Sequence, residues 1–149
     1  MNLHVCTDKQ RLDVALIHRY LSTQAYWSEG IPRETVQRAI DGSLCIGGYL
    51  DDGSQVAFAR VITDGATFGY LADVFVLPDH RGRGYSTALI EALLAQPALQ
   101  GLRRFMLATR DAHGLYARFG FDAPACPELL MEIARPTIYQ DAAVAAVKD

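Results

Sequence analysis

An α/β fold built on one mixed sheet is what this sequence predicts. Three observations carry it. Three short apolar runs, residues 44–50, 56–63 and 67–77, follow one another across Asp51-Asp52-Gly53-Ser54 and Thr63-Asp64-Gly65-Ala66, which read as hairpin turns. Residues 71–96 read as strand, glycine turn and helix in direct succession. Strand, helix and strand patterns then follow once more. The predicted order is β-α-α-β-β-β-α-β-α-β.

Each element has its own signal. Residues 3–6 alternate weakly and form a short first strand. Leu12, Leu16, Ile17, Tyr20 and Leu21 recur at helical spacing, which predicts a helix over 10–22. Pro32 opens a second helix with Val36, Ala39 and Ile40 on its apolar face, and Asp41-Gly42 ends it. After the hairpins, Leu89, Ile90, Leu93 and Leu94 share one face of a helix over 85–96, which Pro97 stops. Residues 104–108 read as a buried strand. Asp111 is placed to cap a helix with Ala112, Leu115, Tyr116 and Phe119 on its face, closed by Gly120. Residues 129–134 read as a last strand. From Pro136 the chain is alanine-rich without an apolar stripe, so 136–149 is expected to be a loosely packed tail.

Composition sets the outer bounds. At 149 residues, 50% hydrophobic and 21% charged, the chain is expected to form one domain over 1–149. A net charge of −3 argues against a nucleic-acid partner, which needs a basic footprint. No apolar run is long enough to span a membrane, and the first residues do not read as a signal peptide, so no membrane partner is expected. Cys6, Cys45 and Cys126 are odd in number and far apart, which points to a reducing, cytoplasmic setting, to free thiols and to no metal site.

The chemistry concentrates at the glycine turn. Pro78-Asp79-His80 breaks the strand, and Arg81-Gly82-Arg83-Gly84 leads into the helix. Free N–H groups and the helix dipole converge there, and glycine lets a ligand approach the main chain closely. With His80, Arg81 and Arg83 beside it, this is a phosphate or pyrophosphate site. It is not a Walker loop, because no Lys follows Gly84. It is not a dinucleotide fingerprint, because the third glycine is missing.

Arg81-Gly82-Arg83-Gly84-Tyr85-Ser86 resembles motif A of the GNAT N-acetyltransferase superfamily, R/Q-x-x-G-x-G/A, with Ser86 at a position that prefers Gly or Ala. Leu115-Tyr116-Ala117-Arg118-Phe119-Gly120-Phe121 is similar to that family's L-Y-x-x-x-G-F segment. The two together cover roughly residues 70–121. The resemblance implies a GNAT-like acyl-CoA N-acyltransferase fold with splayed central strands. It implies acetyl-CoA as cosubstrate, with no metal and a small-molecule amine as acceptor. It implies cofactor contacts from the main chain of Val74, Phe75 and Val76, from Arg81, Gly82, Arg83, Gly84, Tyr85 and Ser86, and from Thr109 and Tyr116. Thr109 is a departure, since many members carry Asn there to hold the pantetheine. A homodimer is compatible with this reading.

Acetyl transfer to an amine sets three requirements. An ammonium with pKa about 10.4 must lose a proton, at a cost of about 4.6 kcal/mol at pH 7. The thioester oxygen must be stabilised as it becomes negative. The leaving thiolate, pKa about 8.5, gains from a proton donor. Asp73 is the leading base, because an acid in that strand needs a reason to be there. A paired structural carboxylate is the competing reading, and His113 is a second candidate base. Main-chain N–H groups of residues 74–76 are the implied oxyanion donors. Tyr116 is the implied acid, against a purely packing role on an apolar face. For the acceptor, the resemblance points to the segment between the first two helices, hence Tyr26, Trp27 and Glu29, with Arg60. Glu29 would suit an amine, and Arg60 a carboxylate. The alternative function is a non-catalytic acyl-CoA-binding or regulatory module, which would need neither Asp73 nor Tyr116.

Overall fold

The structure is a computed structural model and describes residues 2–141. Its five strands are β1 (His4–Cys6), β2 (Leu44–Tyr49), β3 (Gln55–Thr63), β4 (Phe68–Val76) and β5 (Arg104–Leu107). Its helices are α1 (Val14–Thr23), α2 (Arg33–Asp41), α3 (Tyr85–Leu94) and α4 (His113–Ala117). The strands stand in one sheet in sequence order, antiparallel except for the parallel β4–β5 pair. The α/β class and the mixed sheet are as the sequence predicts. No helix among the described residues is long and apolar enough to cross a membrane.

The sheet has an apolar layer on each side, because alternate residues of a strand face opposite ways. Ala57, Ala59 and Val61 of β3 turn to Tyr85, Leu89 and Leu93 of α3. Phe58 of β3 and Phe75 of β4 turn to Ile17 and Leu21 of α1 and to Val36 and Ile40 of α2. Phe75 also stacks on Tyr20, with ring centroids 4.0 Å apart. Burying one such side chain contributes about 1.5–3 kcal/mol. Cys45 lies in the second layer, and burial pushes its thiol up to about 11, so it is an inert core residue.

Three elements differ from the sequence reading. Helix α1 begins at Val14 rather than near residue 10. The Asp13 carboxylate accepts from the Leu16 N–H at 3.0 Å and caps it there, while Lys9–Arg11 form a separate 3₁₀ turn. Asp111 does not cap α4. The Thr109 hydroxyl accepts from the Ala112 N–H at 3.0 Å instead, and only five residues are helical. Residues 129–134 form no strand, because nothing among the described residues pairs with them; Leu129, Met131 and Ile133 are 71%, 98% and 90% exposed. The expected loose tail is also corrected in its first part. Tyr139 packs on the α1–α2 layer and Gln140 donates to Glu29 at 3.1 Å; residues 142–149 lie outside the described residues.

The β3–β4 turn yields a prediction about pH. The Asp64 carboxylate accepts from the Thr67 hydroxyl at 2.6 Å and from the N–H groups of Ala66, Thr67 and Phe68. These bonds, the Thr67 hydroxyl foremost, hold its pKa well below the ordinary carboxylate range. A depressed folded pKa gives stability that is present above the unfolded value of 3.8 and is lost as pH falls through the folded one. Asp64→Ala should therefore lower the melting temperature at neutral pH, with the gap to wild type narrowing below pH 3.8. Melts followed by circular dichroism across that range test it. A gap independent of pH would mean the carboxylate is not what holds the turn.

Candidate active site

Strands β4 and β5 are zipped for four residues and then part. Their ladder runs from Phe68 opposite Arg104 to Leu71 opposite Leu107 and stops there. Beyond it β4 continues to Val76, while the chain after Leu107 turns away through Thr109 into α4. A cavity of about 650 Å³ fills the divergence. Leu71–Val74 wall one side, residues 107–112 and Tyr116 the other, and Tyr26 and Trp27 the mouth.

The backbone of β4 is irregular at the same place. Pairing with β3 slips between Phe58 and Arg60, and Asp73 takes φ +55°, the only non-glycine residue with positive φ among the described residues. Such a conformation costs roughly 1–3 kcal/mol and persists only where surroundings impose it. Here two side chains impose it. Arg60 Nε donates to Asp73 Oδ2 at 2.6 Å, and Trp27 Nε1 donates to Oδ1 at 2.7 Å. The ion pair is largely buried, with side chains 15% and 9% exposed. Arg60 is itself held by Ser43, whose hydroxyl accepts from Nη1 at 2.9 Å. A carboxylate has about four acceptor positions, so two remain for further donors.

Tyr116 reaches the cavity from α4 and is half-buried against the α3-side core. Burial chiefly, then the charge of Asp111 and the Tyr26 phenol, raise its pKa above the ordinary tyrosine value. Its hydroxyl is thus fully protonated at neutral pH and available as a donor.

The structure sorts the remaining expected site residues. Trp27, Tyr26, Arg60, Val74 and Thr109 line the same cavity as Asp73 and Tyr116. Arg60 is committed to Asp73 and Ser43. Thr109 already spends its hydroxyl as an acceptor for Ala112. Glu29 is turned to Gln140 and does not line the cavity. His113 lines a different groove, between β5 and residues 122–130, and is not brought to Asp73. Phe75 and Val76 are core side chains, so only their main chain is available to a ligand.

The glycine turn has room for an anion. Gly82 and Gly84 have φ +78° and +77°, and a Cβ built on either would meet nothing within 4 Å. Gly84 caps α3 without any side-chain acceptor, so the first N–H groups of the helix stay open. Tyr85 faces inward and is buried, and Ser86 is half-buried. Arg81 is partly committed elsewhere. Its Nε donates to the Val76 carbonyl at 3.0 Å and its Nη2 to the Tyr20 hydroxyl at 2.9 Å, which ties the turn to β4 and α1. Arg83 is exposed and makes no side-chain hydrogen bond among the described residues.

Two wall residues escaped the sequence reading. The Arg110 guanidinium lies 3.7 Å from the centroid of the Tyr26 ring, and Tyr26 meets Trp27 edge-on. Tyr139 closes the cavity beside Ile31. The Arg110 contact joins residues 84 positions apart and leaves no local signal. Ile138-Tyr139, an apolar pair inside an alanine-rich stretch, was the one trace of the second.

Comparison with known proteins agrees with this geometry. The Acetyltransferase (GNAT) family model matches residues 12–121. A Gibberella zeae protein described as a candidate acetyltransferase is 36% identical over 135 residues, covering 76% of this chain and 75% of that protein. A crystal structure of a candidate GNAT-family acetyltransferase from Xanthomonas campestris pv. campestris superposes with a TM-score of 0.91 at 62% identity, covering 93% of this chain and 97% of that one. A further candidate acetyltransferase, from Deinococcus radiodurans, shares the fold with a TM-score of 0.70 at 19% identity, covering 95% and 92%.

Proposed function

The chain belongs to the GNAT acetyltransferase family, and on that premise we propose that it moves the acetyl group of acetyl-CoA directly to the amine of a small molecule. One observation carries the reading. The cavity where β4 and β5 part brings a fixed carboxylate, a protonated tyrosine and an aromatic wall to one place. Acetyl-CoA, as substrate, supplies the activated acyl group. The open N–H groups at Gly82–Ser86 bind its pyrophosphate, and Arg83 adds charge. Arg81 chiefly holds the turn in place.

Each requirement of the reaction then has a residue. Asp73 binds the acceptor ammonium and takes its proton, directly or through one water. The β4 main chain, irregular at Asp73–Val74 and free of β5, offers the Val74 N–H to the carbonyl oxygen. Tyr116 gives its proton to the departing thiolate. Tyr26 and Trp27 wall the acceptor. Thiol release from acetyl-CoA over a panel of small amines, with CoA binding measured in parallel, tests the proposal. Binding without thiol release for any amine would favour the non-catalytic acyl-CoA module.

The glycine turn can be tested alone. Gly84→Val forces a branched residue into positive φ and fills the open space over the helix terminus. Losing one or two charge-assisted bonds of about 1.5–3 kcal/mol should weaken CoA roughly 10–100-fold or more. Calorimetry showing unchanged affinity would place the pyrophosphate elsewhere.

A further inference from the structure

The cavity where β4 and β5 part is lined by four charged side chains, Arg60, Asp73, Arg110 and Asp111, two of each sign. Arg60 and Asp73 are committed to each other in the buried ion pair, and Arg60 also donates to Ser43. Arg110 is the cation left at the wall. It makes no ion pair among the described residues, not even with Asp111 beside it in sequence. Its guanidinium lies over the Tyr26 ring, 3.7 Å from the centroid. Stacking of this kind holds a guanidinium by its face and leaves the N–H fork at its edge free. That fork matches a carboxylate in shape and in charge.

We propose that Arg110 is the specificity-determining residue for the acceptor, and that the acceptor is an amine joined by an apolar body to a carboxylate. The inference rests on the acetyl-transfer reading, which puts the acceptor's ammonium at Asp73. Three observations give the class. The first is the balance of charge at the wall, two arginines against two aspartates. A zwitterion is met end by end. A polyamine would set a second ammonium against Arg110, and a phosphate ester would bring a second negative charge beside Asp111; like charges placed together reject the wrong partner. The second is a line of contacts. Asp73 holds Trp27, Trp27 meets Tyr26 with ring centroids 5.1 Å apart, and Tyr26 carries Arg110. Two aromatic rings thus link the carboxylate that takes the ammonium to the guanidinium that takes the anion. The third is the apolar surface along the way. Tyr26, Trp27 and Ile62 are exposed and Tyr70 is half-buried, and all four line the cavity. An apolar body laid between the charged ends removes them from water.

Trp27 is the only tryptophan of the chain, so its fluorescence reads the cavity directly and needs no turnover. The full chain, in the presence of CoA, is titrated with 4-aminobutyrate, 6-aminohexanoate and 4-(aminomethyl)benzoate, and with the carboxamide of each. At least one acid should bind about 10-fold or more tighter than its amide, as for a gain of charge-assisted hydrogen bonds. Arg110→Gln should abolish that preference. Arg110→Lys, which keeps the charge and loses the fork, should restore part of it. If Arg110 only steadies Tyr26, Arg110→Gln will weaken acid and amide together and leave their ratio unchanged, which overturns the proposal. Acids that bind no better than their amides in the wild type overturn it as well. Thiol release from acetyl-CoA with the same compounds separates this inference from the reading it rests on. A carboxylate preference that is lost in Arg110→Gln, without thiol release, would keep the anion site and overturn acetyl transfer. Thiol release without any preference for the acids would do the reverse.

Discussion

Replacing Asp73 with Asn should lower turnover by roughly 10²–10⁴-fold at neutral pH, the range for a positioned general base. The substitution keeps shape and removes basicity. The loss should shrink as pH rises, because free amine then becomes plentiful. Stability should fall as well. Asp73 accepts from both Arg60 and Trp27, and an amide can accept from only one while its NH₂ meets the other donor. Leaving a largely buried guanidinium without its partner costs up to about 3–5 kcal/mol. Melting temperature therefore reports the clamp, whether or not Asp73 takes part in the reaction. The pH–rate profile separates the two roles. A destabilised Asp73→Asn protein with wild-type turnover at every pH would leave Asp73 as an anchor for Trp27 and Arg60 alone.

Tyr116→Phe is the complementary case. It removes one hydroxyl and little volume, so the ring keeps its place against the α3-side core and its edge-on contact with Phe121. Acetyl-CoA should still bind, because the proposed pyrophosphate contacts are at Gly82–Ser86. Turnover should fall by roughly 10²–10⁴-fold if the hydroxyl protonates the thiolate. It makes no hydrogen bond to the described residues that would oppose its loss. Measuring kcat and melting temperature on one sample decides the matter. Full turnover with an unchanged melting temperature would make Tyr116 a packing residue.

Much of this molecule was readable in advance because its signals are local. The hairpin turns at 51–54 and 63–66, the strand–turn–helix at 71–96 and the apolar face of α3 depend on neighbours a few residues away. Backbone sterics and burial act at that range. The glycine turn was legible for the same reason: positive φ at Gly82 and Gly84 and an open helix terminus follow from the residues themselves. The strand expected at 129–134 shows the limit. Its alternation is real, but a strand needs a partner, and pattern does not say whose edge provides one.

By itself, then, the sequence determined the α/β class, the family resemblance and the glycine turn with its open helix terminus, since each is written within one short stretch. Only the tertiary structure decided what the site is made of. It pinned Asp73 between Arg60 and Trp27, 13 and 46 residues away in sequence. It sent Glu29 to Gln140 and His113 to another groove, and it brought Arg110 and Tyr139 to the cavity wall. The physical reason is that hydrogen bonds, ion pairs and ring contacts are made in space. Where β4 breaks its ladder and β5 turns away, residues from five separate segments meet, and no local periodicity encodes that meeting.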